Sequence, residues 1–150
     1  MSSKCRINLA GDTGLLSADK VQQWGEFIIG NYWKISDRSP QSFQIDINIV
    51  SDERIKVINK RYLNKDRPTD VIAFSLEEGE KFPQNPKEKE PLIGQIIISS
   101  DTAAGQAADY GNTLKEELAI LVIHGLLHVA GWEEGKELKE CQDKIASQLL

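Results

Sequence analysis

The stretch Leu118–Val129 is apolar on nearly every side when it is drawn as a helix. A helix of this kind has no polar face to present to solvent, so other elements of the fold must surround it. Thr113 and Glu116 precede the stretch at the spacing of a capping box, and Gly131 follows it as a stop signal. The sequence therefore predicts a central, buried helix that opens after Thr113 and runs to Ala130.

The rest of the chain mixes strand-like and helix-like patterns. Residues 43–50 alternate strictly between apolar and polar side chains, which is typical of a half-buried strand. Further strands are predicted over 5–9, 71–76 and 92–99, and further helices over 17–32, 52–64, 101–110 and 136–150. These elements indicate the α+β class, or a mixed sheet with helices packed on it. A length of 150 residues is that of one domain, expected over 1–150.

Composition excludes several classes of protein. No apolar run approaches the roughly 18 residues that span a bilayer, and the N-terminal segment lacks the apolar core of a signal peptide, so we expect a cytoplasmic protein without a membrane partner. A net charge of -5 excludes a protein that binds nucleic acid through a large overall positive charge. Residues 77–91, rich in proline and glutamate, predict a solvated loop in a long hairpin. Cys5 and Cys141 are expected to be reduced, although a disulfide between the termini remains open.

The only two histidines of the chain, His124 and His128, both lie on the predicted central helix. Their spacing of four residues places both imidazoles on one face, where they can reach a single metal ion. The alternative is a pair of hydrogen-bonded core histidines, and spacing alone does not decide between the two. Burial of two imidazoles without a polar partner is costly, and a metal ion would supply that partner.

A third metal ligand is available immediately after the helix. Glu133 and Glu134 follow Gly131, where the chain must turn, and the carboxylate of either residue can fold back toward the end of the helix as the third ligand. The alternative is two surface glutamates that favour the start of the last helix. Two histidines and a carboxylate form a catalytic zinc site or the triad of a non-haem iron enzyme. Gly125 stands where a zinc protease has its glutamate, which argues against a metalloprotease. A metal at this position could still polarise a phosphoryl oxygen.

Residues 54–67 carry six basic side chains against one acidic side chain, although the whole chain is acidic. A local basic field of this kind can hold a polyanion. The alternative is a solvated helix face.

Three segments together resemble the YbeY family, bacterial endoribonucleases needed for ribosomal RNA maturation. The family pattern His-Gly-x-Leu-His-x-x-Gly-x-Asp-His is similar to His124-Gly-Leu-Leu-His128-Val-Ala-Gly131-Trp-Glu133-Glu134. The patterns Leu-Asn-x-x-Tyr-Arg and Asp-x-Pro-Thr-Asp-Val-Leu-Ser-Phe are similar to Ile58-Asn59-Lys-Arg-Tyr62-Leu63 and Asp66-Arg-Pro68-Thr69-Asp70-Val-Ile-Ala73-Phe74. Leu-Gly-Asp-Ile is similar to Ile93-Gly94-Gln95-Ile96.

The resemblance implies a mixed sheet of about four strands with helices around it, and one zinc ion held at the end of the central helix. It also exposes departures from the family. The third metal histidine of the family falls on Glu134, and its RNA-site arginine falls on Leu63. The family's serine and aspartate fall on Ala73 and Gln95. A carboxylate ligand adds negative charge and should weaken the metal as a Lewis acid.

The expected function is a metal-dependent, single-strand endoribonuclease that acts in ribosomal RNA maturation and ribosome quality control. His124, His128 and Glu134 would hold zinc, and Lys60 or Arg61 would neutralise charge on the phosphodiester. RNA is the expected partner, with the small ribosomal subunit as a candidate, and the oligomeric state is left open. The alternatives are an RNA- or ribosome-binding assembly factor with weakened catalysis, and a metal hydrolase of another phosphate ester.

Overall fold

The structure, a computed structural model, describes residues 4–12, 14–76 and 90–150. The described elements match the predicted ones closely, with ends shifted by a residue or two. The strands are β1 (Lys4–Gly11), β2 (Ser42–Val50), β3 (Val71–Ser75) and β4 (Leu92–Ser99). The helices are α1 (Ala18–Tyr32), α2 (Asp52–Leu63), α3 (Ser100–Tyr110), α4 (Leu114–Val129) and α5 (Lys136–Leu149).

The four strands form one mixed sheet in the order β1-β2-β4-β3. β1 and β4 both run parallel to β2, whereas β3 is antiparallel to β4, with Phe74 opposite Gln95. The α+β class and the mixed sheet of four strands are therefore confirmed, as is the antiparallel pair predicted for 71–76 and 92–99. Most of the predicted connecting loop lies outside the described residues.

The two faces of the sheet differ because β2 alternates. Phe43, Ile45, Ile47 and Ile49 are buried in the main core together with residues of α1 and α4. Helix α4 is central and buried, as its apolar surface predicts. It packs very close to the sheet: a Cβ at Gly125 would lie 2.6 Å from Cγ2 of Ile96. Glycine at this position therefore sets how near the helix approaches β4.

The opposite face of the sheet is only partly covered. A small apolar cluster of Ile55, Ile72 and Ile97 lies there, beneath α2. Tyr62 and Leu63 continue the helical spacing of Ile55 and Ile58, which predicts that they share the apolar face of α2, but they are 56% and 46% exposed. Helix α2 packs through Ile55 and its neighbours, and its last turn extends past this small cluster.

Local signals at the helix ends behave as the sequence predicts. Thr113 Oγ1 accepts a hydrogen bond from the Glu116 amide at 3.1 Å, and the Glu116 carboxylate accepts one from the Thr113 amide at 3.0 Å. This capping box starts α4 and thereby sets which residues of that helix reach its far end. Cys5 and Cys141 are free thiols, so no disulfide ties the termini. Within the described ranges, no helix has the length and apolar character required to cross a bilayer.

Candidate metal centre

The two histidines and Glu134 meet beyond the end of α4. Gly131, with a φ of 102°, lets the chain reverse direction after the helix, and Glu134 then folds back over the last turn. Its Oε1 atom lies 2.8 Å from Nε2 of His124 and 2.7 Å from Nε2 of His128. The two Nε2 atoms are 3.2 Å apart. The structure thus brings together the three residues predicted to bind metal, while Glu133 lies outside the cluster formed by described residues.

The spacing of these three atoms suits a small divalent cation. Zinc bonds of about 2.0–2.2 Å to nitrogen and oxygen in a tetrahedral site separate the ligand atoms by about 3.3 Å. The observed separations of 2.7 to 3.2 Å need only a slight expansion to accept such an ion. The histidine side chains are 17% and 21% exposed, whereas the side chain of Glu134 is 72% exposed. The site therefore has one side accessible to solvent.

Gln142 of α5 orients the first histidine. Its Oε1 atom lies 2.6 Å from Nδ1 of His124, and the residue is 7% exposed. An amide oxygen only accepts hydrogen bonds, so Nδ1 carries the proton and Nε2 presents its lone pair to the centre. That lone pair faces a carboxylate oxygen of Glu134, an arrangement that a shared cation stabilises. The donor set therefore fits a metal ion, with Gln142 as the outer hydrogen-bond partner typical of metal-binding histidines.

The charge state of Glu134 also fits a ligand. Burial alone would raise the pKa of this carboxyl, but its contacts with His128 and His124 outweigh burial and lower the pKa. The net result is a pKa below the ordinary value for glutamate. The carboxyl is therefore ionised at neutral pH, as a metal ligand must be.

The basic residues near this centre are not those that the sequence favoured. A cavity of about 320 Å³ has His124, His128 and Glu134 in its wall, and Leu63, Lys65 and Arg67 also line it. Leu63 occupies the family's arginine position. Lys65 and Arg67 are therefore the basic residues among the described lining of this cavity, and the sequence indicated them only as members of the basic segment.

Lys60 and Arg61 lie elsewhere on the molecule. The amino group of Lys60 is 3.9 Å from the carboxylate of Asp66, and Arg61 lines a different cavity. These residues are separated from Lys65 and Arg67 by the end of α2. There Asn64 adopts a left-handed conformation with a φ of 57°, and the chain reverses direction. Asn59, 2% exposed, donates a hydrogen bond to the Arg67 carbonyl and holds the returning loop against the helix. The basic residues after the turn, Lys65 and Arg67, therefore line the histidine cavity, whereas Lys60 and Arg61, which precede it, do not.

A buried carboxyl lies in a further cavity behind the centre. Glu117 is 3% exposed, and its Oε2 atom has no hydrogen-bond partner among the described residues. Burial and the nearby charge of Asp70 raise the pKa of Glu117. This cavity, of about 550 Å³, also has His124 and Gln142 in its wall.

Comparison with known proteins gives a consistent result. The sequence model of the family described as "Endoribonuclease YbeY" matches residues 8–149. A protein named "Endoribonuclease YbeY" from Bacillus pumilus (strain SAFR-032) is 36% identical, over 93% of this chain and 91% of that protein. One of the same name from Aquifex aeolicus (strain VF5) is 32% identical, over 87% of this chain and 83% of that protein.

Among solved structures, the solution structure of TM1509 from Thermotoga maritima is similar, with a TM-score of 0.59. The two sequences are 26% identical, and the match covers 97% of this chain and 88% of that one. The family match, the relatives and the shared fold agree with the motifs around His124 and His128. The chain belongs to the YbeY family of endoribonucleases.

Proposed function

We propose that this chain is a zinc-dependent endoribonuclease that cleaves single-stranded RNA during ribosomal RNA maturation and ribosome quality control in the cytoplasm. The observation that carries the proposal is the convergence of His124, His128 and Glu134 at the wall of a cavity with two cations. Membership of the family supports RNA as the substrate. The small ribosomal subunit is a proposed partner because ribosomal RNA is the proposed substrate.

The proposed roles follow from the donor atoms. His124 and His128 bind the ion through Nε2, Glu134 binds it through a carboxylate oxygen, and Gln142 holds the His124 ring in the required tautomer. When bound, zinc supplies Lewis-acid chemistry at a phosphodiester. The negative charge of Glu134 lowers the net charge of the centre below that of three neutral histidines. We therefore expect this chain to be a slower enzyme than a relative with three histidines.

The substrate phosphate requires its own cations. Lys65 and Arg67 line the cavity beside the histidines, so we propose that they bind the phosphate oxygens and stabilise the charge that develops during cleavage. Lys60 and Arg61, which the sequence favoured for this role, lie in the last turn of α2 and do not line this cavity. We propose that they bind RNA outside the centre.

Metal content and cleavage test the proposal together. Purified protein, prepared without chelators, is analysed for bound metal by mass spectrometry and for cleavage of a labelled single-stranded RNA. We expect stoichiometric zinc and cleavage in the wild type, and the loss of cleavage in His124→Ala. Glu134→Ala should lose metal, whereas Glu133→Ala, the matched control next to it, should retain metal and activity. Wild-type protein without stoichiometric metal would refute the proposal.

One observation favours a second candidate function. Leu63 lines the histidine cavity where the family has its RNA-site arginine, and leucine cannot bind a phosphate. An assembly factor that binds RNA or the ribosome but has weak catalysis would tolerate this change. Stable binding to single-stranded RNA without any cleavage by the zinc-loaded wild type would support this candidate over the enzyme.

A further inference from the structure

A second cavity, of about 590 Å³, lies between α2 and the partly covered face of the sheet. We call it the outer groove and define it by five of its lining residues. These are Arg54, Arg61, Tyr62, Phe74 and Gln95. Its floor is formed by side chains of β2, β4 and β3, and its wall by α2, so it lies on the opposite face of the sheet from α4. The metal centre does not explain the presence of this groove.

The charge of the outer groove is suited to an anion. Arg54 and Arg61 line it, and neither makes an ion pair within the described part of the chain. By contrast, Lys56 and Lys60 on the same helix lie 4.0 and 3.9 Å from the carboxylate of Asp66. The described residues that line the groove include no acidic side chain. Among the described residues, both guanidinium groups are therefore without an acidic partner, and each has the planar fork that favours bidentate binding of a phosphate.

The groove also presents an aromatic surface. Tyr62 is 56% exposed, and its ring packs edge-on against Phe74 with the centroids 5.6 Å apart. The guanidinium carbon of Arg61 lies 5.4 Å from the centroid of the Tyr62 ring. An exposed ring that is supported at its edge and lies beside an arginine is the arrangement by which proteins stack a nucleobase of a single strand.

The outer groove adjoins the metal centre around the edge of the sheet. Phe74 lines both the outer groove and the histidine cavity. Tyr62 lines the groove, and the next residue, Leu63, lines the histidine cavity. Both cavities meet at β3, which is an edge strand. An extended chain that passes over this edge can therefore occupy the two cavities at once.

We propose that the outer groove binds a nucleotide of single-stranded RNA that flanks the nucleotide at the histidine centre. Its base stacks on Tyr62, and its phosphate binds Arg61 and Arg54. The inference rests on the proposed function, because it assigns a second subsite to the same substrate. A duplex cannot present an unstacked base to Tyr62, so this subsite accounts for a preference for single strands.

The test measures RNA binding separately from cleavage. A short fluorescent oligouridylate is titrated by anisotropy, in the presence of a chelator so that no cleavage occurs, into wild-type protein and variants. We expect Tyr62→Ala and Arg61→Ala each to weaken binding about tenfold, within the range reported for a stacked base or a charged hydrogen bond. Tyr62→Phe, which keeps the ring, should bind like the wild type. Lys56→Ala, an exposed cation on the same helix outside the groove, is the matched control and should change binding less than about twofold.

The outcomes separate this inference from the proposed function. Unchanged binding by Tyr62→Ala and Arg61→Ala would overturn the outer-groove subsite, even where zinc-dependent cleavage by the wild type upholds the proposed function. Conversely, Tyr62-dependent binding by a wild type that cleaves nothing would uphold the subsite while refuting the nuclease. Self-association that Tyr62→Ala abolishes, with RNA binding unaffected, would assign the groove to a second copy of the chain and overturn the inference.

Discussion

The strongest test of the metal centre is a substitution that touches no metal ligand. Gln142→Leu removes the acceptor 2.6 Å from Nδ1 of His124, at a position that is 7% exposed. The ring then either buries an unpaired N–H group, at a cost of about 1–3 kcal/mol, or moves its proton to Nε2. In the second case the lone pair that faces Glu134 is lost. Because about 1.4 kcal/mol corresponds to a tenfold change in an equilibrium constant, we expect zinc to bind about tenfold to hundredfold more weakly.

Zinc affinity is measured by competition with a chromogenic chelator at neutral pH. Gln142→Glu supplies a stronger acceptor for Nδ1–H and should restore or tighten binding. Lys144→Leu, on the exposed part of the same helix, introduces the same side chain away from the centre and should bind zinc like the wild type. If Gln142→Leu binds zinc as tightly as the wild type, the amide does not set the tautomer of His124 and the reasoning is refuted.

Three further predictions concern buried or partly buried positions in the fold. Burial and Asp70 raise the pKa of Glu117 above its unfolded value, so the folded state holds this proton more tightly and stability falls as pH rises. Urea unfolding should therefore show that Glu117→Gln stabilises the protein more at neutral pH than at pH about 4. The same stabilisation at both pH values would contradict a raised pKa of Glu117. Gly125→Ala should lower the free energy of unfolding by about 1–3 kcal/mol in the same assay, because the added Cβ would contact Ile96 too closely. An unchanged free energy of unfolding would show that α4 can shift away from β4. Partial burial first, and then the charge of nearby Glu26, raises the pKa of the Cys5 thiol to about 12, so alkylation of the folded protein at neutral pH should spare Cys5. Rapid alkylation of Cys5 would contradict the raised pKa.

Much of the fold could be predicted because its signals are local. The alternation of residues 43–50 indicates a strand with one buried face, and the apolar surface of α4 indicates complete burial of that helix. The capping box at Thr113 indicates where the helix starts. The histidine pair belongs to the same class of signal, since residues four apart on a helix share a face in any tertiary context. Tyr62 shows where this fails: its spacing matches an apolar face, but the cluster beneath α2 ends before its last turn.

The sequence by itself determined the central helix, the pairing of His124 with His128 and the glycine that ends the helix. Only the tertiary structure decided that Glu134 rather than Glu133 returns to the histidines, that Gln142 reaches them from another helix, and that the cations before and after the Asn64 turn face different cavities. The physical reason is the range of the forces involved. Periodicity and capping act within a few residues, whereas the position of one element against another depends on the packing of the whole core.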